Sequence, residues 1–357
     1  MKQKTGFGIA ALALGTVAPA SGAAASHDTL RMMLVDVEGG SAALYVTPEG
    51  HSLLVDTGWP RGMGGPRVPA ATTPPPTSSA ERIVRAAKSL GLSRIDYVLV
   101  THYHVDHVGG VADLLALMPV GTFVDHGPNR ETPPPGATPA QLATATVTLY
   151  PAYLAAIAGR KHIVLPAGGQ LRIDGLALTA VDSDGALIAK ALPDGGEPGV
   201  GCDRTTTKTA DGGEENPRSI GFLATWGKAR IVSLGDTTWN MENRLVCPID
   251  LIGRVDLMVA THHGSELSNS PALLNTLAPR IIVVANGPIK GGDAASFDNA
   301  MATPRIKEYW QLHYATRSVP NKNAPPERIA NPVTAVDAAN PLRIAVERSG
   351  EVTVSIP

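Results

Sequence analysis

Thr101-His102-Tyr103-His104-Val105-Asp106-His107 is the stretch on which the reading of this chain turns. Three histidines and an aspartate stand within six residues, directly after an apolar run at 97–100 and just before Gly109-Gly110. The run predicts a short buried strand, so the cluster sits where a strand runs out into a loop. Neutral imidazoles and carboxylates are the side chains that ligate zinc. In an extended segment alternate residues share a side, which places His102 and His104 together. Asp106 and His107 follow the turn and can face a neighbouring metal. Scattered structural histidines do not reach this density.

Two later segments repeat the pattern of chemistry after an apolar run. Ile231-Val232-Ser233-Leu234-Gly235 leads to Asp236, and a carboxylate there can offer one oxygen to each of two cations. Alone, the Gly-Asp pair would read as an ordinary turn. Thr261-His262-His263-Gly264-Ser265 closes the apolar run at 257–260. One of its histidines can ligate a metal while the other hydrogen-bonds substrate or solvent, and the sequence leaves open which does so.

Working outward, strands are predicted at 30–37, 42–46 and 52–55, with a turn at Gly39-Gly40. Residues 60–79 are rich in Pro, Gly, Thr and Ser and read as a long loop. Helical spacing marks 81–90 and 111–117, with a strand at 121–124 between the second of these and a longer helix at 140–158 that Pro151 should kink or divide. Strands follow at 163–165, 171–173 and 176–181. A second Gly-, Asp- and Thr-rich loop spans 193–217; like the loop at 60–79, it is expected to border the site and set specificity. A hairpin pairs 220–226 with 229–234. Short buried strands at 257–260 and 281–285, a helix at 303–314 and a closing hairpin over 342–356 complete the list. Strands first in meander, then alternating with helices, occur in both halves, which predicts an α/β fold of two sheets packed face to face with helices outside.

These motifs resemble the metallo-β-lactamase superfamily. Leu54-Val55-Asp56-Thr57-Gly58 is similar to its first motif, whose aspartate orients the metal site from behind the ligands. His102-x-His104-x-Asp106-His107 resembles its signature, Asp236 its bridging aspartate, and His262-His263-Gly264-Ser265 its last histidine motif. In style the chain is most similar to the metallo-β-lactamase-like domain of DNA-uptake competence channel proteins and to bacterial phosphorylcholine esterases, with Asp36-Val37-Glu38-Gly39-Gly40-Ser41 resembling the opening segment of that branch. The resemblance spans residues 30–356 and implies an αββα sandwich with metals at one sheet edge. It also exposes a departure. The superfamily usually carries a further histidine between signature and bridging aspartate, where this chain has Glu214-Glu215-Asn216-Pro217-Arg218-Ser219. The His102/His104 metal therefore lacks an obvious third histidine. Asn216, and His126 at the end of the 121–124 strand, are the candidates to stand near it.

The function implied is hydrolysis through a hydroxide activated by two metals, with zinc the expected ion and Mn2+ or Fe2+ the alternatives. Asp106, Asp236 and His263 are the candidate catalytic groups. Phosphodiesters or related esters are the leading substrates. A bridging aspartate argues against an ordinary β-lactamase. A lactone or carboxylic-ester hydrolase, and a non-catalytic binding protein on the same scaffold, are the competing readings, because fold does not fix substrate.

The bulk properties agree with a globular enzyme. The 357 residues are 43% hydrophobic and 17% charged, with a net charge of −2 that gives no nucleic-acid signal. The 37 glycines and 30 prolines fit a β-rich chain with long loops. Lys2 and Lys4, the apolar run at 7–18, and Ala18-Pro19-Ala20 or Ala23-Ala24-Ala25 read as an export signal over 1–25. A single domain at 26–357, periplasmic or secreted and free of membrane after cleavage, is expected. Cys202 and Cys247 can pair in such a compartment, or remain unrelated buried thiols.

Overall fold

Alternation along the first strands decides the layering. In β1 (Thr29–Leu34) Leu30, Met32 and Leu34 point to one side and Met33 to the other. In β3 (Ser52–Val55) Leu53 and Val55 join the first set and Leu54 the second. Strands apolar on both faces must be covered on both faces. The computed structural model describes residues 1, 28–64, 77–209, 212–319, 322–332 and 339–357. The predicted export signal and most of the predicted 60–79 loop lie outside them.

One sheet has eight strands. Its meander runs β1, β2 (Ala43–Val46) and β3, all antiparallel, and continues through β4 (Ile95–Leu99), β5 (Val120–Asp125) and β6 (Lys161–Val164) in parallel. The closing hairpin, β16 (Leu342–Glu347) and β17 (Val352–Ser355), returns to pair with β1. The second sheet begins with β7 (Gln170–Ile173) and β8 (Leu176–Ser183), which the short β9 (Ala186–Leu187) also joins. It goes on with antiparallel β10 (Gly221–Trp226) and β11 (Ala229–Ser233). Parallel β12 (Leu257–Val259), β13 (Ile281–Val284), β14 (Glu308–His313) and β15 (Ile329–Asn331) complete it.

Three apolar cores stack across these layers. The middle one is shared by the sheets, with Leu30, Tyr45, Leu53 and Leu99 meeting Leu178, Phe222, Trp226 and Ile281. On the outer face of the first sheet lie α1 (Ser79–Ser89), α2 (Val105–Val108), α3 (Val111–Leu117) and α5 (Thr146–Ala156), after the exposed α4 (Pro139–Ala143). Outside the second sheet lie α6 (Trp239–Val246), α7 (Pro271–Leu277) and α8 (Ala294–Met301). The result is the αββα sandwich. Cys202 and Cys247 are disulfide-bonded and tie the loop before β10 to the end of α6.

Two predicted elements are corrected. Residues 303–314, predicted as a helix, hold β14, because β13 and β15 flank the segment and take up its backbone hydrogen bonds in parallel register. Tyr309 and Gln311–His313 are buried there, so the apolar residues serve a sheet rather than a helix face. The predicted helix at 140–158 is two helices, and the break falls at Thr144-Ala145 rather than at Pro151, which sits inside α5. A capping box of Thr138 and Gln141 opens α4, and Ala145 is extended before α5 begins.

Candidate metal centre

Each chemical segment leaves the carboxyl end of a strand at the same edge of the sandwich. Asp56 follows β3, His102 and His104 follow β4, and Asp106 and His107 lie in α2. Asp236 follows β11, and His262 and His263 follow β12. Both of these histidines are left-handed, with φ of 54° and 56°. A non-glycine backbone rarely sits there, and here the turn delivers two successive imidazoles to one carboxylate.

That carboxylate is Asp236. Its Oδ1 lies 3.3 Å from His107 Nε2 and 3.5 Å from His263 Nε2. Its Oδ2 lies 3.5 Å from His262 Nε2 and 3.9 Å from His102 Nε2. Asp106 Oδ2 stands 3.3 Å from His107 Nε2 and 3.1 Å from His263 Nε2. Asp106, His107, Asp236 and His263 thus form a buried set whose ligand atoms all lie within 4.8 Å of one another. His102 Nε2 is 3.1 Å from His104 Nδ1 on the other side. Burial pushes both carboxyls up. The Lys290 ammonium and His107 nevertheless hold Asp106 well below the usual range, and His107, His262 and His263 do the same for Asp236. Two ionised carboxylates therefore share one buried pocket.

The hydrogen bonds behind the ring nitrogens show how well a cation fits. His263 Nδ1 is 3.0 Å from Ala285 O, a pure acceptor, so Nδ1 carries the proton and Nε2 presents a lone pair. His107 Nδ1 meets Asp56 Oδ2 at 2.8 Å, with the same consequence. The Asp56 carboxylate is itself held by the Thr101 N–H at 2.8 Å and its hydroxyl at 2.9 Å. His262 Nδ1 is 3.4 Å from Ser268 Oγ, whose own hydrogen goes to Thr237 O at 2.8 Å, so the hydroxyl accepts from Nδ1. In neutral rings, three Nε2 lone pairs then face carboxylate oxygens, and His107 and His263 face each other at 3.1 Å. Without a metal, protons on the rings supply the positive charge that holds the two carboxyls down; with neutral rings a metal cation must take their place between these acceptors, and the donor set suits one.

The remaining expected residues are placed as follows. Asn216 reaches the site, with Nδ2 3.4 Å from His262 Nε2, and its Oδ1 is buried without a hydrogen-bond partner among the described residues. His126 Nε2 lies 3.1 Å from Glu215 Oε1 and its ring packs against Tyr103. Glu215 also accepts the Tyr103 N–H at 2.8 Å, which pins the segment that stands where a third histidine was expected. Sequence reasoning missed Lys290, which donates to Asp106 Oδ2 from the loop after β13, and Glu131, 3.8 Å from His104 Nε2. Burial pushes the His104 imidazole down, but Glu131 outweighs it and raises it. Neither residue stands in a ligand-like motif, so only the fold reveals them. Asp36, Glu38 and His313 form a second buried set within 4.8 Å. The Arg82 guanidinium already pairs both of its carboxylates at 3.0 Å, which makes it a structural network.

The sequence model of the metallo-beta-lactamase superfamily matches residues 36–281. The chain belongs to this superfamily. No curated protein sequence matches the chain. Among solved structures it is similar to the metallo-beta-lactamase fold protein YhfI from Bacillus subtilis, at 12% identity over 80% of this chain and 96% of that one, TM-score 0.43. It is also similar to Igni18, a metallo hydrolase from Ignicoccus hospitalis, at 14% identity over 78% and 94%, TM-score 0.41. A third is CmlA, a diiron beta-hydroxylase from Streptomyces venezuelae, at 17% identity over 72% of this chain, TM-score 0.38; the chain spans 45% of CmlA's length. The superfamily match and the two helix-flanked mixed sheets agree on the fold, and the clustered ligand-type residues at the sheet edge agree with its metal-dependent character.

Proposed function

We propose that this chain is a metal-dependent hydrolase of phosphodiesters or related esters that works outside the cytoplasm. The observation that carries the reading is the Asp236 carboxylate with imidazole nitrogens at both oxygens, His107 and His263 at one and His262 and His102 at the other. Asp106, His107, His263 and Asp236 would hold one cation. His102, His104 and Asp236 would hold a second, with His262 supplying what the absent histidine does not and the Asn216 amide beside it. Both members of the His262-His263 pair are then ligands, one for each cation. Bound cations of this kind make a water acidic near neutral pH and stabilise charge developing on a substrate oxygen.

The protein's own part is positional. Asp56 and Ala285 O fix the His107 and His263 rings from behind, so their Nε2 atoms stay aimed at the centre. Asp106 and Asp236 are the carboxylates within reach of the reacting group to take up a proton. Zinc is the proposed ion. The Cys202–Cys247 disulfide supports export, since such bonds persist in oxidising compartments. Among the described residues no helix is long and apolar enough to cross a membrane.

The test is a side-by-side assay of phosphodiester, phosphomonoester, lactone, carboxylic-ester and β-lactam substrates, with metal analysis of the same preparation. Cleavage of the diester that depends on added zinc, manganese or iron is the expected result. A chain that takes up no transition metal and cleaves none of the five would be a binding scaffold, and the reading would fall.

A further inference from the structure

The loop that follows β13 is built against the histidine turn. Gly292 N–H donates to His263 O and Asp293 N–H to Gly264 O, each at 2.9 Å. Gly291 is left-handed at φ 72°, and a Cβ there would meet His263 O at 2.2 Å, so only glycine permits the approach. On its other side the loop is stitched to residues 316–318. Thr316 N–H and hydroxyl both bond Pro288 O, Ser318 Oγ bonds Gly292 O at 2.7 Å, and Arg317 Nη1 reaches Ile289 O at 3.3 Å. A cavity of about 530 Å3 opens here, its wall including His262, His263, Lys290 and Arg317.

Lys290 stands at the inner end of this cavity. Its ammonium contacts Asp106 Oδ2, lies 5.2 Å from the Trp59 ring centroid, and the side chain keeps 35% of its surface exposed. The hydrogen bonds of the flanking loop hold its backbone, so the cation is delivered to the edge of the candidate metal centre by structure rather than by a free surface side chain. Of the acids of the wall, Glu266 lies on the turn after the histidines and Asp293 ends the Lys290 loop itself, its carboxylate engaged by the Glu266 N–H at 3.0 Å. Lys290 is thus a positive charge held beside the histidines, and Arg317 stands on the same wall.

We propose that Lys290, assisted by Arg317, is the anion-binding subsite of this centre, so that the substrate class is an ester carrying a negatively charged phosphoryl oxygen beside the bond to be cleaved. This rests on the hydrolase reading and narrows it. A neutral carboxylic ester or lactone has no oxygen for the ammonium to neutralise. An anionic diester does, and a charge-assisted hydrogen bond from an ammonium in a partly enclosed site is among the stronger polar contacts available.

The experiment uses the full chain reconstituted with zinc and measures inorganic phosphate binding by calorimetry, metal content, and KM for bis(p-nitrophenyl) phosphate and for neutral p-nitrophenyl acetate. Lys290→Gln should weaken phosphate about tenfold or more per metal-loaded site, and raise KM for the anionic diester in proportion. KM for the neutral ester should rise clearly less than KM for the diester. Lys290→Arg, which keeps the charge, should recover most of the phosphate affinity. Arg317→Gln, whose side chain touches no candidate ligand, should weaken phosphate about threefold and covers the case in which Lys290→Gln disturbs metal uptake through Asp106. Unchanged phosphate affinity in both glutamine variants, or equal loss on both esters, would overturn the subsite. The two ideas fail separately. Metal-loaded protein that binds phosphate through Lys290 but cleaves no ester refutes the hydrolase and leaves the subsite. Active enzyme indifferent to Lys290 refutes the subsite alone.

Discussion

Replacing Asp236 by asparagine asks whether one carboxylate serves two cations. The substitution keeps the size of the side chain and removes its charge. The backbone anchor survives, because Asp236 N–H bonds Ser219 Oγ at 3.2 Å independently of the side chain. What is lost faces imidazoles on both sides, with His107 and His263 at 3.3 and 3.5 Å from Oδ1, and His262 and His102 at 3.5 and 3.9 Å from Oδ2. Loss of a mere supporting partner behind a ligand already costs about 10–100-fold in metal affinity. Removing a shared ligand should reach at least the upper end of that range at each cation, about 2.7 kcal/mol per site. His102→Ala touches only the Oδ2 side. Metal per chain, measured by elemental analysis after dialysis against a mild chelator, should therefore fall in the order wild type, His102→Ala, Asp236→Asn. Circular dichroism should show the same secondary structure in all three. Full occupancy in Asp236→Asn would refute the shared role. A lowered melting temperature with unchanged metal would return Asp236 to the turn residue that Gly235-Asp236 suggests in isolation.

Other consequences concern stability. Arg82→Met leaves the buried Asp36 and Glu38 without the guanidinium that bonds each at 3.0 Å, and should cost about 3–5 kcal/mol in urea unfolding; a loss below about 1 kcal/mol would show the network to be dispensable. His313 titrates in the same network. Burial pushes its imidazole down, but Asp36, 2.8 Å from Nε2, and Glu38 outweigh this and raise it above the ordinary imidazole range. A raised histidine stabilises the fold fully below its unfolded value, and that contribution fades as pH rises through the folded value. The stability gap between wild type and His313→Asn should accordingly be widest in mild acid and close toward alkaline pH; a gap that widens with pH would reverse the assignment. Cys202 and Cys247 close a loop with a sequence separation of 45, so the double serine variant should lose up to about 4 kcal/mol, read as a lower denaturant midpoint.

The sequence by itself determined the ligand-type residues, their clustering and most of the layering. The histidine and aspartate types, their density at 102–107 and their place after apolar strands are local facts, and a meander followed by strands alternating with helices already predicted two sheets packed face to face. The superfamily resemblance followed from those same residues. Helix α1 was legible from its spacing, whereas α6, α7 and α8 went unread although Ser270-Pro271 has the form of a helix start, because their short apolar stripes are weak against the flanking loops. Residues 303–314 were misread because an apolar spacing compatible with one helix face is overridden once β13 and β15 offer hydrogen bonds on either side. Tertiary structure alone decided which oxygen of Asp236 each histidine meets, since that depends on three strand ends, those of β4, β11 and β12, brought to one edge from two different sheets. It also decided that His262 and His263 stand at different oxygens of one carboxylate, through a left-handed backbone. Lys290 lies 184 residues from Asp106 along the chain and reaches it only because the β13 loop is stitched to the histidine turn, a contact set by packing and invisible to spacing.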